Sequence, residues 1–409
     1  VTSGAGGSVT AGRVRPPRLD VDGLIDDRRT RIIVCCGAGG VGKTTTAAAV
    51  GLRAAERGRH VVVLTVDPAR RLAQSMGLTW LDNIPRPVPL GERAGPGTLH
   101  AMMLDMKRTF DEIVETHADP DRAAQILANP FYQSVSSSFS GTQEYMAMEK
   151  LGQLHRAGEW DLIVVDTPPS RSALDFLDAP QRLSRFLDGR LLRLLTAPAK
   201  MGGRAYLRLL NAGVGVVTGM LTKVLGAQVL RDAQTFVSAL DTMFGGFRER
   251  ADYTYRLLRA HGTAFLVIAV PEGDALREAS YFVERLDSEG MPLAGLILNR
   301  VHQSPAAHLS AARSLAAAET LATAGPAGEA PAAARGAGPH DLAVAALRLH
   351  AERMQQAAAE RRLAEHFTAA HPLVPVAEVP AQPDDVHDLA GLRAIGRWFG
   401  QEEGSRQPA

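Results

Sequence analysis

The sequence predicts an α/β fold: a mostly parallel sheet flanked by helices, with an inserted α-helical subdomain. Three observations carry that expectation. Apolar runs of strand length recur at 32–36, 60–66, 162–166, 264–270 and 293–301. Segments of helical periodicity separate them, and strands alternating with helices build parallel sheets covered on both faces. Two stretches, 106–156 and 179–261, carry Leu, Met and Ala at helical spacing without a strand-like run. These read as the insertion.

Composition narrows the function classes. Of 409 residues, 45% are hydrophobic and 22% charged, which supplies a sizeable core. The 45 basic and 44 acidic side chains leave a net charge of +1. Proteins that hold a nucleic-acid backbone carry a basic excess, so no nucleic-acid partner is expected. The two cysteines, Cys35 and Cys36, are adjacent and exclude a disulfide framework or a four-thiolate zinc site. The twelve histidines show no metal-ligand spacing. No apolar signal core lies in residues 1–30, and the charge-free stretch Leu209–Thr222 is too short to span a bilayer. A cytoplasmic protein is expected.

In chain order, residues 1–30 are rich in Gly, Ser, Thr, Arg and Asp and read as a flexible tail. A nucleotide-binding core opens over 31–105, with a buried strand at 32–36, a glycine-rich turn and an Ala-rich helix from Lys43 to about Ala55. The helical subdomain takes 106–156 and 179–261, on either side of a core strand and switch at 157–178. Core resumes over 262–302. Residues 303–340 are expected as a linker, because 15 of the 18 residues from Ala322 to Pro339 are Ala, Gly or Pro. Residues 341–400 complete the core with a helix at 341–370, an apolar run at 373–379 and a helix at 388–399. A short tail, 401–409, follows.

The chemistry concentrates at three strand ends. Gly37-Ala38-Gly39-Gly40-Val41-Gly42-Lys43-Thr44 satisfies G-x-x-x-x-G-K-[ST] between a strand and a helix. Its glycines let backbone N–H groups converge on phosphate oxygens, and the helix N-terminus favours negative charge. Lys43 is placed to reach the β- and γ-phosphates, and the Thr44 hydroxyl to ligate Mg²⁺. The apolar run 162–166 ends in Asp166, a carboxylate suited to the Mg²⁺ hydration shell. Thr167-Pro168-Pro169-Ser170 follows as a rigid turn that could sense the γ-phosphate. The run 60–66 leads into Asp67 at the same sheet edge, where it could orient or deprotonate the attacking water. Both aspartates could instead cap the helices that follow them.

These segments together resemble the anion-transporting ATPase family, which includes the arsenical-pump ATPase subunit and the ATPase guiding tail-anchored membrane proteins. The resemblance rests on Gly39 to Thr45, Val66-Asp67-Pro68-Ala69, Val165-Asp166-Thr167-Pro168-Pro169, Val270-Pro271-Glu272 and Leu298-Asn299-Arg300-Val301. The look is of the actinobacterial type, over about 31–302 and 365–400. The resemblance implies that ATP binds on Gly39, Gly40, Val41, Gly42, Lys43, Thr44 and Thr45. It implies that Asp67 activates the hydrolytic water with Lys43 as the other catalytic group. Thr44 would ligate Mg²⁺ directly and Asp166 through water. Asn299 would read the adenine edge, and the segment from Val376, with Val379 and Pro380, would pack on the base.

The sequence also departs from the family pattern. Ala38 stands where the family usually has a lysine that reaches across a dimer to the partner's phosphates. The expectation is therefore a homodimer with slow hydrolysis or a heterodimer with a related, lysine-bearing ATPase subunit. Neighbouring residues on a strand point to opposite faces, so Cys35 and Cys36 cannot jointly bind arsenite. The Cys-x-x-Cys pair that clasps zinc between subunits in the targeting branch is absent. The run Leu209–Leu230 holds one charge, Lys223, and reads either as buried helix or as a surface for a hydrophobic client or membrane-protein partner. A nucleotide-binding regulatory or scaffold subunit with little hydrolysis is the alternative function.

Overall fold

The computed structural model describes residues 16–67, 71–91, 95–130, 132–133, 142–168, 249–324 and 338–400. Eight strands form one sheet in the order β3-β4-β2-β5-β1-β6-β7-β8. They are β1 (Ile32–Gly37), β2 (His60–Thr65), β3 (Arg86–Pro87), β4 (Thr98–Met103), β5 (Leu162–Asp166), β6 (Thr263–Ala269), β7 (Leu293–Val301) and β8 (Val376–Pro380). Every pairing is parallel except that of β3 with β4. The expected α/β architecture is therefore the observed one. All of β1, β5 and β6 is buried, as continuous apolar strands in the middle of a doubly covered sheet must be.

Helices close both faces. Against one face lie α1 (Val21–Asp26), α2 (Lys43–Glu56), α3 (Arg71–Ser75) and α10 (Leu389–Gly396), packed with Ile33, Cys35, Val63 and Ile297. Against the other lie α4 (Met106–His117), α5 (Pro120–Ala128), α6 (Thr142–Ala157), α7 (Gly273–Ser288) and the C-terminal part of α9 (Pro339–Ala370). The helical first part of the expected insertion is thus α4 to α6. Residues 249–259, at the end of its second part, are also helical. The run Leu209–Leu230 lies outside the described residues.

Three segments depart from the sequence reading. The expected N-terminal tail contains α1, whose Val21 and Ile25 are fully buried, four residues apart on one helix face. The buried guanidinium of Arg59 holds this segment down by donating to the carbonyls of Ile25 and Thr30, at 2.8 and 2.6 Å. Strand β4 was not anticipated. Thr98 and His100 break its apolar pattern, and only alternate positions over its first residues are buried. The expected linker, 303–340, contains α8 (Ala311–Ala324), an Ala-rich helix packed on α9. Alanine is the strongest helix former, so compositional bias there favours helix over loop. Among the described residues no helix is long and apolar enough to cross a membrane.

Candidate nucleotide site

Strand β1 delivers the glycine loop to the C-terminal edge of the sheet. Gly37 has φ +150°, and a Cβ there would lie 2.1 Å from the Ile268 carbonyl oxygen on β6, so only glycine passes. Gly42, at φ +92°, precedes the first turn of α2, and its missing Cβ leaves room for the Asn299 amide. Gly39 and Gly40 are exposed at the tip, while Ala38 and Val41 are buried on the sheet side. The open tip thus faces away from the core, with the α2 N-terminus behind it.

The Lys43 side chain curls back over its own loop. Its Nζ donates to the carbonyls of Gly37 at 3.0 Å and Ala38 at 2.7 Å. Burial lowers its pKa, opposed by the charge of Asp166. Thr45 follows on α2, half-buried.

Asp166, at the end of β5, is fully buried. Its Oδ2 accepts two hydroxyl donors, Thr44 Oγ1 at 2.7 Å and Thr65 Oγ1 at 2.8 Å. Its Oδ1 is buried without a partner. Burial pushes the carboxyl up to about 6, while the Thr44 and Thr65 hydrogen bonds and Lys43 pull it down. An orphaned carboxylate oxygen beside a threonine hydroxyl suits Mg²⁺, which prefers oxygen ligands and keeps part of its hydration shell. The residues present therefore fit that ion.

Asp67 follows β2, and its N–H donates to Thr65 Oγ1 at 3.2 Å. The continuation of that turn, residues 68–70, lies outside the described residues. Beyond Asp166, Thr167 donates from its N–H and its Oγ1 to the Cys35 carbonyl, at 3.3 and 2.9 Å. This ties the ends of β5 and β1 together. The remainder of the expected γ-phosphate turn, from Pro169, is outside the described residues.

Asn299 comes to the loop from the far side of the sequence. Its Nδ2 donates to the Val41 carbonyl at 2.9 Å, 258 residues away. The pairing of β7 with β8 shifts register between Leu298 and Val301, and Arg300 there has φ +58°. That irregularity accompanies the turn of Asn299 towards the loop. Val379 is buried in the layer shared with α2, and Pro380 is half-buried at the end of β8.

The cysteines fall as expected on opposite faces, Cys35 in the α2 layer and Cys36 in the α6 layer. Burial pushes the Cys36 thiol up to about 12, and the Cys35 thiol is also raised well above its ordinary value. Both are inert thiols. The residue that sequence reasoning missed is Thr65. Its signal was slight: a hydroxyl two positions before Asp67 at the end of an apolar run.

A central strand that runs through a glycine loop into a helix, beside a strand-end aspartate hydrogen-bonded to that helix's first threonine, defines a phosphate-loop NTPase. Residues 30–319 match the sequence profile of the anion-transporting ATPases, and the chain belongs to that family. Among similar proteins is the ATPase GET3 of Malassezia globosa, 23% identical over 304 residues, covering 73% of this chain and 80% of the relative. The ATPase get3 of Schizosaccharomyces pombe is 22% identical over 285 residues, covering 70% of this chain and 78% of the relative. The protein is an ATP hydrolase of this family.

Proposed function

We propose that this chain is a Mg²⁺-dependent ATPase switch acting in the cytoplasm as a dimer, which couples ATP binding and hydrolysis to a hydrophobic client or membrane-protein partner. In this reading Gly39 to Thr45 hold the phosphates, and Lys43 leaves the Gly37 and Ala38 carbonyls to meet them. Thr44 and Asp166 would hold Mg²⁺, which supplies neutralisation of the charge that develops on the phosphates. Asp67 orients and deprotonates the attacking water. Asn299, with Val379 and Pro380, receives the adenine.

The observation that carries the coupling is the continuity of one core. Val66 and Val165, which flank Asp67 and Asp166, lie in the same buried layer as Ile113 of α4 and Met146 and Leu151 of α6. Packed interiors transmit small shifts because they are dense. A movement of the two aspartate-bearing strand ends therefore reaches the helical layer without any intervening loop. Ala38, which carries no charge at the loop, favours slow hydrolysis by the isolated chain or pairing with a lysine-bearing subunit.

The test is capture of a labelled apolar helical peptide by the full chain in the presence of ATP or ADP, with sedimentation in each state. Dimerisation and peptide capture that change with the nucleotide support the reading. Capture indifferent to nucleotide, or recovery of DNA alone from a mixture of both, overturns it.

A further inference from the structure

We propose that Thr65 is a positioning residue for ATP hydrolysis, locking the turn that carries Asp67 to the metal-side carboxylate of Asp166. The inference rests on the roles proposed above for those two aspartates. Thr65 and Asp166 are register partners at the ends of the parallel neighbours β2 and β5. Thr65 is almost wholly buried. Its hydroxyl has one proton, given to Asp166 Oδ2 at 2.8 Å, and its oxygen accepts the Asp67 N–H at 3.2 Å. One atom thus touches both halves of the machinery.

The consequence lies in the two oxygens of Asp166. Thr65 and Thr44 both donate to Oδ2, so that oxygen is occupied from two sides. Oδ1 is left buried and unpartnered. The pair of hydroxyls therefore fixes the rotation of the carboxylate and decides which oxygen stays available to a cation's water. Removing the Thr44 donor would also remove a proposed metal ligand, whereas removing the Thr65 donor isolates the orienting effect. Hydrogen-bonding partners of this kind commonly govern about ten- to hundredfold in metal affinity or activity.

Thr65→Val keeps the β-branched shape of the strand residue and deletes the hydroxyl. In the full-length protein it is expected to lower ATP turnover by about ten- to hundredfold. Affinity for a fluorescent ATP analogue without Mg²⁺ should stay within about twofold of the parent, while the gain in affinity on adding Mg²⁺ shrinks at least about threefold. Thr65→Ser, which restores the oxygen, should recover most of both. Thr65→Ala serves as the hydroxyl-free variant if the valine protein does not fold. Turnover and Mg²⁺ response within about twofold of the parent in either hydroxyl-free variant would overturn the proposal. So would a serine variant as impaired as the valine one, since that outcome assigns Thr65 to packing. Asp67→Asn separates the two readings. If it hydrolyses ATP normally, the role of Asp67 is wrong, and the Mg²⁺ titration still decides the Thr65–Asp166 contact.

Discussion

Two of the carboxylates buried among the described residues, Asp166 and Glu149, are dressed in opposite ways. Asp166, at the nucleotide edge of the sheet, meets two hydroxyls on one oxygen and nothing on the other. Glu149, on α6 in the helical layer, gives one oxygen to Arg250 Nε at 3.0 Å and the other to Arg156 at 3.4 Å. Its side chain is only 1% exposed, and Arg250 is 11% exposed. The charge of Glu149 is balanced inside the chain by guanidinium groups. Among the described residues Asp166 meets no guanidinium, and its Oδ1 is buried without a partner. The structural carboxylate is thus closed on itself, whereas Asp166, the carboxylate proposed for the metal, keeps an open oxygen.

The largest effect is expected from breaking the closed arrangement. Glu149→Ala takes from Arg250 the carboxylate that meets its Nε, and loss of one partner of a buried pair costs about 3–5 kcal/mol. Urea unfolding should show the unfolding free energy falling by that amount, through a lower midpoint with little change in slope. The variant that remains folded should still bind ATP, because the nucleotide loop lies on the sheet edge and not on α6. An unfolding midpoint like that of the parent would mean that the contact with Glu149 does not hold Arg250 in place.

Breaking the open arrangement should spare the fold and remove the chemistry. Asp166→Asn keeps an oxygen for Thr44 and Thr65 but loses the charge. Turnover should drop on the order of 10²–10³-fold, about 3–4 kcal/mol in the barrier, while the unfolding midpoint without Mg²⁺ does not fall and rises near neutral pH, where the buried charge is gone. Steady-state ATP hydrolysis and urea unfolding on one preparation check both halves. A protein that unfolds as readily as Glu149→Ala would erase the distinction between the two carboxylates.

The contrast also marks what was legible in the sequence. The loop, Lys43, Thr44 and Asp166 were readable because each belongs to a contiguous pattern of strand, glycines and helix start. Strands β1, β5 and β6 were readable because full burial on both faces demands an unbroken apolar run. Strand β4 was not, since a position with one open face tolerates Thr98 and His100. Helix α1 was hidden because only Val21 and Ile25 on its face are apolar enough to bury. Helix α8 was hidden because its alanines resemble the low-complexity stretch that follows. Thr65 and the Asn299–Val41 contact escaped for another reason. Their partners lie 101 and 258 residues away, and only the folded sheet edge brings them together. The Glu149–Arg250 pair, likewise 101 residues apart, was invisible because the packing of two helices brings it together.

The smallest effect is the most direct measure of the open carboxylate. Asp166 titrates at about 6 in the folded chain against an ordinary 3.8, because burial penalises its charged form. Below pH 3.8 it is protonated whether the chain is folded or not. Between 3.8 and 6 the unfolded chain releases this proton and the folded chain keeps it, so stability falls as pH rises through that window and levels off above it. The shift amounts to about 3 kcal/mol at most. Other groups titrate nearby: the carboxyls of Asp26 and Asp161 are held below their usual range, chiefly by hydrogen bonds to the Arg57 side chain and the His60 N–H. Those carboxyls lose stability as pH falls, the opposite sign, so the raw profile mixes both. The difference between parent and Asp166→Asn isolates the one group. With a chelator present, the stability of the parent relative to the variant should decline from pH 4 to pH 6.5 and then stay flat. A flat difference across the whole range would mean that water reaches Oδ1 and solvates it, and that the open oxygen is not held dry for a cation.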